Sequence, residues 1–176
     1  MNEALLNFMG KDIGSKEGKE FAEEVMDFIN KKAIEYQKET GHMFNVESTP
    51  GESTIRKFAK LDREQFGNDI ICANQERVIK DGAIPYYTGS TKLPVGYTDD
   101  LFKELQLQDK LEQSYSGGSS FHIFLGERVP DIEATKKLVR RTFENFELPY
   151  ISITPTFSIC PVHGYLEGEH DYCPKC

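Results

Sequence analysis

The sequence predicts an α/β fold that ends in a small metal-binding tail. Three observations carry that expectation. Segments with strand-like and helix-like periodicity alternate along much of the chain, an order that favours a sheet layer with helical crossover connections. The 176 residues, 38% apolar and 28% charged, suit one core-bearing domain with a small appendage. Three of the four cysteines fall together at 160, 173 and 176.

The elements follow in order. Residues 2–9 (NEALLNFM) form a short apolar segment that stops at Gly10. Phe21, Val25, Phe28, Ile29 and Tyr36 then recur at three- and four-residue spacing, which describes one face of a helix. Ser15 can cap its start and Gly41 can end it. MFNVES (43–48) predicts a short strand. TPGEST interrupts it, and residues 54–66 resume a helical period through Ile55, Phe58, Ala59 and Leu61. DIICAN (69–74) is short and apolar enough for a buried strand, with Cys72 as a small core residue. Residues 83–100 are dense in Pro, Gly, Ser and Thr and predict a loop. Residues 99–113 predict a helix with Leu101, Leu105 and Leu111 toward the core, and 114–120 a turn. FHIFLGE (121–127) alternates like a strand, with Phe121, Ile123 and Leu125 on one side and His122 on the other, solvent-facing or locally bonded. Asp131 caps a helix lined by Ile132, Leu138, Val139, Phe143 and Phe146. YISITPTFSIC (150–160) predicts a strand that runs into the cysteine cluster. The expected boundary near 154–157 separates a 1–154 α/β body from a 155–176 tail too short to own a core.

Charge narrows the function classes. The formal net charge is −8 and the pI about 5.1, whereas nucleic-acid binders carry a basic face. The basic stretches at 31–32 and 136–141 lie within helical patterns and read as solvated helix faces. No stretch approaches the roughly 18 apolar residues of a membrane span. The N-terminus lacks the pattern of a secretory signal, and clustered cysteines fit a reducing, cytoplasmic setting.

The tail carries the strongest chemistry. Zinc prefers four thiolate or imidazole ligands in a tetrahedron, and a pair separated by two residues presents two of them from one tight turn. Cys160-Pro-Val-His163 and Cys173-Pro-Lys-Cys176 form two such pairs. His170 is the alternative to His163 as fourth ligand. A closed four-ligand shell leaves no open position, so the ion is expected to be structural. ESTPGEST (47–54) precedes a helix, and such a start can hold a phosphate through Thr49, Gly51, Ser53 and Thr54, although Ser and Thr also cap helices without any ligand. YYTGST (86–91) offers further hydroxyls, read as loop chemistry or as part of a substrate pocket.

The segment ISITPTFSICPVHGYLEGEHDYCPKC resembles the zinc-binding C-terminal region of anaerobic, class III ribonucleoside-triphosphate reductases. NEALLNFMGKDIGS, FNVESTPGESTIRKFAKLD, IPYYTGSTKLPVGYTDDLF and YSGGSSFHIFLGE resemble the same family. The resemblance implies the second half of a ten-stranded α/β barrel followed by a zinc knuckle. It implies an oxygen-sensitive enzyme that reduces ribonucleoside triphosphates to deoxyribonucleotides, with formate or a dithiol protein as reductant. A glycyl radical, installed by a radical-SAM activating enzyme, belongs after the last zinc cysteine, and the radical-accepting cysteine and nucleotide-sensing region belong before Met1. The chain is therefore expected to be inactive without the N-terminal portion of the reductase, and a homodimer is expected from the family. The resemblance also favours phosphate contact by Thr49, Gly51, Ser53 and Thr54. His163 departs from the family, where most members place a fourth cysteine. The alternative reading is a small zinc-ribbon interaction module, or a companion subunit without catalysis.

Overall fold

The computed structural model describes residues 1–125, 131–155, 157–167, 170 and 172–176. They form two compact units, Met1–Ser119 and Ser120–Cys176. No helix among the described residues is long and apolar enough to cross a membrane.

The first unit is helical. Helix α1 (Asn2–Met9) ends at Gly10, whose left-handed backbone lets its N–H reach the Leu6 carbonyl. Helix α2 (Lys16–Thr40) starts where the sequence places its cap: the Ser15 hydroxyl accepts the Gly18 N–H at 3.2 Å and donates to the Asp12 carbonyl at 2.6 Å. Helix α3 (Glu52–Phe66) runs into a short 3-10 turn (Gly67–Asp69), and α4 (Gln75–Asp81) and α5 (Leu101–Gln113) follow. The Asp100 carboxylate caps α5 by accepting from the Phe102 and Lys103 N–H groups. Helix α2 packs against both α1 and α5, around a core of Leu5, Ile13, Ala22, Met26, Leu93 and Leu111. Replacing Ser15 with alanine is expected to cost about 1 kcal/mol, the usual worth of an N-cap hydroxyl, read as a lower urea midpoint at unchanged slope.

The structure departs from the sequence expectation at several points. The buried side of α2 is Gly18, Ala22 and Met26. Phe21 and Val25 are half-buried beside it, whereas Phe28, Ile29 and Tyr36 are exposed, because the buried seam follows the four-residue spacing of Gly18, Ala22 and Met26 and stops there. Residues 43–48 form no strand: a single parallel bridge joins Glu47 to Gly117, flanked by backbone bonds from Ser48 to Gly117 and from Ser116 to Val46. Residues 69–74 form no strand either, because side chains take up the Ile71 and Cys72 backbone groups that a ladder would use. The Asn7 amide brackets Ile71, accepting its N–H and donating to its carbonyl at 2.8 Å each, and Gln75 accepts from the Cys72 N–H. Cys72 itself is buried, as a core residue. Helix α4, rich in charge, was not expected. The alternation of strand and helix is thus absent from the first unit, and the named strands all lie in the second.

In the second unit, β1 (Phe121–Leu125) pairs in parallel with β2 (Ile151–Pro155), with Phe121 opposite Ile151 and His122 opposite Ser152. Parallel neighbours need a crossover, here α6 (Ile132–Asn145), capped by Asp131, whose carboxylate accepts from Ala134 N–H at 2.7 Å. Positions 126–127 of the expected strand lie outside the described residues. On α6, Thr142 is buried and Leu138 and Val139 half-buried, while Ile132 and Phe143 stand exposed. The single strand expected over 150–160 is two: β2, and β3 (Phe157–Cys160), which pairs with β4 (Gly164–Glu167) in a separate antiparallel hairpin.

Candidate metal centre

The β3–β4 hairpin presents the first ligand pair. Cys160 closes β3 opposite Gly164, and the turn between them is Pro161-Val162-His163. Gly164 sits at φ 71°, a left-handed angle that favours glycine. Pro161 has no N–H, so the next two amides turn onto the sulfur: Val162 and His163 N–H both donate to Cys160 Sγ at 3.4 Å. The second pair repeats the device. Lys175 N–H donates to Cys173 Sγ at 3.4 Å across Pro174, and Cys176 N–H bonds the Cys173 carbonyl.

The two turns bring four ligand atoms within 4.8 Å of one another: the sulfurs of Cys160, Cys173 and Cys176 and a ring nitrogen of His163. Cys160 Sγ lies 3.7 Å from Cys176 Sγ and 3.7 Å from His163 Nδ1, and His163 Nδ1 lies 3.5 Å from both Cys173 Sγ and Cys176 Sγ. Zinc–sulfur bonds of about 2.3 Å and zinc–nitrogen bonds of about 2.0–2.1 Å give tetrahedral edges of about 3.5–3.8 Å. These four separations match those edges and the remaining pairs lie within 4.8 Å, so the donor set can close around a tetrahedral ion of this size. His170 stands outside the group; its backbone N–H donates to Ser158 Oγ.

Electrostatics point the same way. The amides of His163 and Val162 hold the Cys160 thiol down to about 6. The Cys173 and Cys160 sulfurs push Cys176 up to about 11. Three thiolates at this spacing repel, and a divalent cation removes that conflict.

The other residues singled out lie in the first unit. Gly51 is the N-cap of α3 and no side chain bonds the helix start there; Ser53 and Thr54 in its first turn and Thr49 before it are exposed. In the 86–91 stretch the hydroxyls bond protein groups. Tyr87 donates to Asp62 at 2.7 Å, Thr88 donates to buried Glu3 at 2.9 Å, and Thr91 accepts from Tyr115 at 3.0 Å. Burial, then the Asp62 carboxylate, raise the Tyr87 hydroxyl above its ordinary range. Burial also pushes the Cys72 thiol up, which agrees with a core role.

Comparison with known proteins gives a consistent picture. A family model described as anaerobic ribonucleoside-triphosphate reductase matches residues 1–176. The chain is 28% identical over 160 residues to the anaerobic ribonucleoside-triphosphate reductase of Haemophilus influenzae, covering 86% of this chain and 21% of that protein. It therefore spans about a fifth of that relative's length. The anaerobic ribonucleotide reductase of Thermotoga maritima with MES in the active site superposes with a TM-score of 0.65 at 26% identity, over 92% of this chain and 24% of that one. The same enzyme in complex with dATP and CTP gives a TM-score of 0.63 at 24% identity, with the same coverage.

Proposed function

The chain belongs to the anaerobic ribonucleoside-triphosphate reductase family, and from that premise we propose that it is the C-terminal portion of a glycyl-radical enzyme that converts ribonucleoside triphosphates to deoxyribonucleoside triphosphates. The observation that supports this most is the family match along the entire chain, which includes the four-ligand cluster. In this reading residues 1–154 contribute to the second half of a ten-stranded α/β barrel and 155–176 form a zinc-binding tail. The β1–α6–β2 unit is the parallel crossover from which such barrels are built, and its strand edges are surfaces that further strands of a longer protein, or a second copy, would pair with.

Zinc is the ion the cluster suits, bound by Cys160, His163, Cys173 and Cys176. When bound, it crosslinks two turns and supplies shape rather than reactivity, because protein atoms fill all four positions. The residues of this chain do the rest of that work: the amides of Val162, His163 and Lys175 orient the sulfurs, and the hairpin register sets Cys160 at its turn. The radical glycine, the radical-accepting cysteine, the radical-SAM activating enzyme and the reductant are assigned outside this sequence, and the setting is cytoplasmic.

The Thermotoga maritima enzyme has been solved with dATP and CTP, which supports a nucleotide ligand. The phosphate contact proposed for this chain is the start of α3, with Thr49, Gly51, Ser53 and Thr54, where backbone N–H groups and hydroxyls meet solvent. Replacing Ser53 with alanine is expected to weaken nucleotide binding by the assembled enzyme several-fold, the worth of about one hydrogen bond; unchanged affinity counts against the assignment. The whole reading is tested by assaying deoxynucleotide formation under strict anoxia. The chain alone should give none. The chain mixed with the N-terminal portion, a radical-bearing C-terminus, the activating enzyme and a reductant, formate or a dithiol protein, should give product. No product from a complete, activated mixture would leave it only a structural role.

A further inference from the structure

The fourth donor of the tail cluster differs in kind from the other three. Cys160, Cys173 and Cys176 offer sulfur, whereas His163 offers nitrogen. The ring turns one particular atom inward. Nδ1 lies 3.5 Å from the sulfurs of Cys173 and Cys176 and 3.7 Å from that of Cys160. Nδ1 is the ring nitrogen nearer the backbone, so it reaches about as far as a cysteine sulfur does. The turn Cys160-Pro161-Val162-His163 thus closes on the cluster with an imidazole, where Cys173-Pro174-Lys175-Cys176 closes with a thiol.

That exchange has consequences for the ion. A metal-bound imidazole is neutral and keeps its proton on the other ring nitrogen, so the set presents three thiolate charges and no fourth. Soft ions gain most from each added thiolate, while zinc suits imidazole and thiolate alike. The spacing acts in the same direction. Separations of 3.5–3.7 Å are the edges of a tetrahedron with zinc-length bonds, and an ion with longer bonds has to spread the two turns. Amides resist that spreading: Val162 and His163 N–H hold Cys160 Sγ, and Lys175 N–H holds Cys173 Sγ, each at 3.4 Å.

We propose that His163, bound through Nδ1, sets the metal selectivity of the tail: it favours zinc over larger, softer divalent ions, for which cadmium is the probe. The inference rests on the zinc reading above and adds to it which residue decides the ion. The three sulfurs supply the grip, and the single nitrogen supplies the discrimination.

Metal competition on the full 176-residue chain tests this. The reduced, metal-free chain is equilibrated with zinc and cadmium ions held at fixed free concentrations, desalted, and the bound ratio read by elemental analysis. His163→Cys is expected to raise the cadmium-to-zinc ratio by about tenfold or more, because it supplies a fourth soft, charged donor. Cys173→His is expected to lower the ratio, and serves if the first variant does not fold. Ring-nitrogen NMR of the ¹⁵N-labelled, zinc-loaded wild-type chain reads the ligand atom directly. Nδ1 of one histidine should carry the metal and Nε2 of the same ring the proton, and His163→Cys should remove both signals. An unchanged ratio in a folded variant, or a proton on Nδ1 of His163 in the loaded chain, overturns the role of His163 and leaves the zinc site standing. A wild-type chain that holds neither ion overturns the zinc reading and this inference with it, so the two failures are distinguishable. No step of the test depends on catalysis.

Discussion

Replacing Cys160 with serine is expected to empty the metal site and unfold the tail. Cys160 is the best-held ligand: it is buried, it receives two backbone N–H groups, and it is the last residue of β3. The tail has little interior to fall back on. Cys160 and Leu166 are its buried apolar residues among those described, while Phe157, Ile159, Val162, Tyr165 and Tyr172 are exposed. Phe157 and Tyr165 touch edge to face, with centroids 5.2 Å apart, but on the solvent side of the hairpin. Two four-residue strands with so little buried surface do not fold on hydrophobic burial alone. Metal binding by comparable small sites is worth about 10 kcal/mol or more, and there it is folding free energy. The expected result is loss of stoichiometric zinc by elemental analysis, together with collapse of the dispersed amide signals of residues 157–167. Amide signals of α2 and α5 should persist. Cys72→Ser is the matched control, because Cys72 bonds Gln75 Oε1 at 3.2 Å in the first unit and should keep the full metal content.

Gly18→Ala carries the second large effect, and its sign separates packing from propensity. In an exposed helix, alanine for glycine stabilises by about 1 kcal/mol. At position 18 an added Cβ would lie 2.0 Å from the Asp12 carbonyl oxygen and 2.8 Å from Ser15 Oγ. The first neighbour is backbone and cannot rotate away. It also belongs to the turn in which the Asp12 carboxylate accepts the Gly14 and Ser15 N–H groups and Tyr97 hydroxyl. Relieving the clash displaces the turn that caps α2 and the buried seam of Ala22 and Met26 beyond it. Overpacking of this kind costs about 3 kcal/mol, a large part of the 5–15 kcal/mol that holds a typical domain folded. A urea midpoint lowered well beyond that of Ser15→Ala is expected. A midpoint unchanged or raised would show that α2 does not start as described.

How much of this the sequence disclosed depends on whether the deciding contact is local. Ser15, Asp100 and Asp131 act within three residues of themselves, and the first and last were readable as helix caps. The two metal-ligand pairs are local turns as well, and their spacing placed Cys160, His163, Cys173 and Cys176 together before any fold was known. The failures arose where a distant group intervened. DIICAN has the composition of a buried strand, yet the backbone of its Ile71 is taken up by the side chain of Asn7, 64 residues away. MFNVES meets only the turn at 116–118, too short a partner for a ladder. The run from 150 to 160 is continuously strand-like, but its two halves pair with different partners, which composition does not encode.

X-ray absorption at the zinc edge of the purified, metal-replete chain reads the ligand set of the tail. One zinc per chain is expected, in a shell of three sulfurs at about 2.3 Å and one nitrogen at about 2.0–2.1 Å. A shell dominated by oxygen, a shell lacking the nitrogen, or a chain that keeps its folded tail without metal would contradict it.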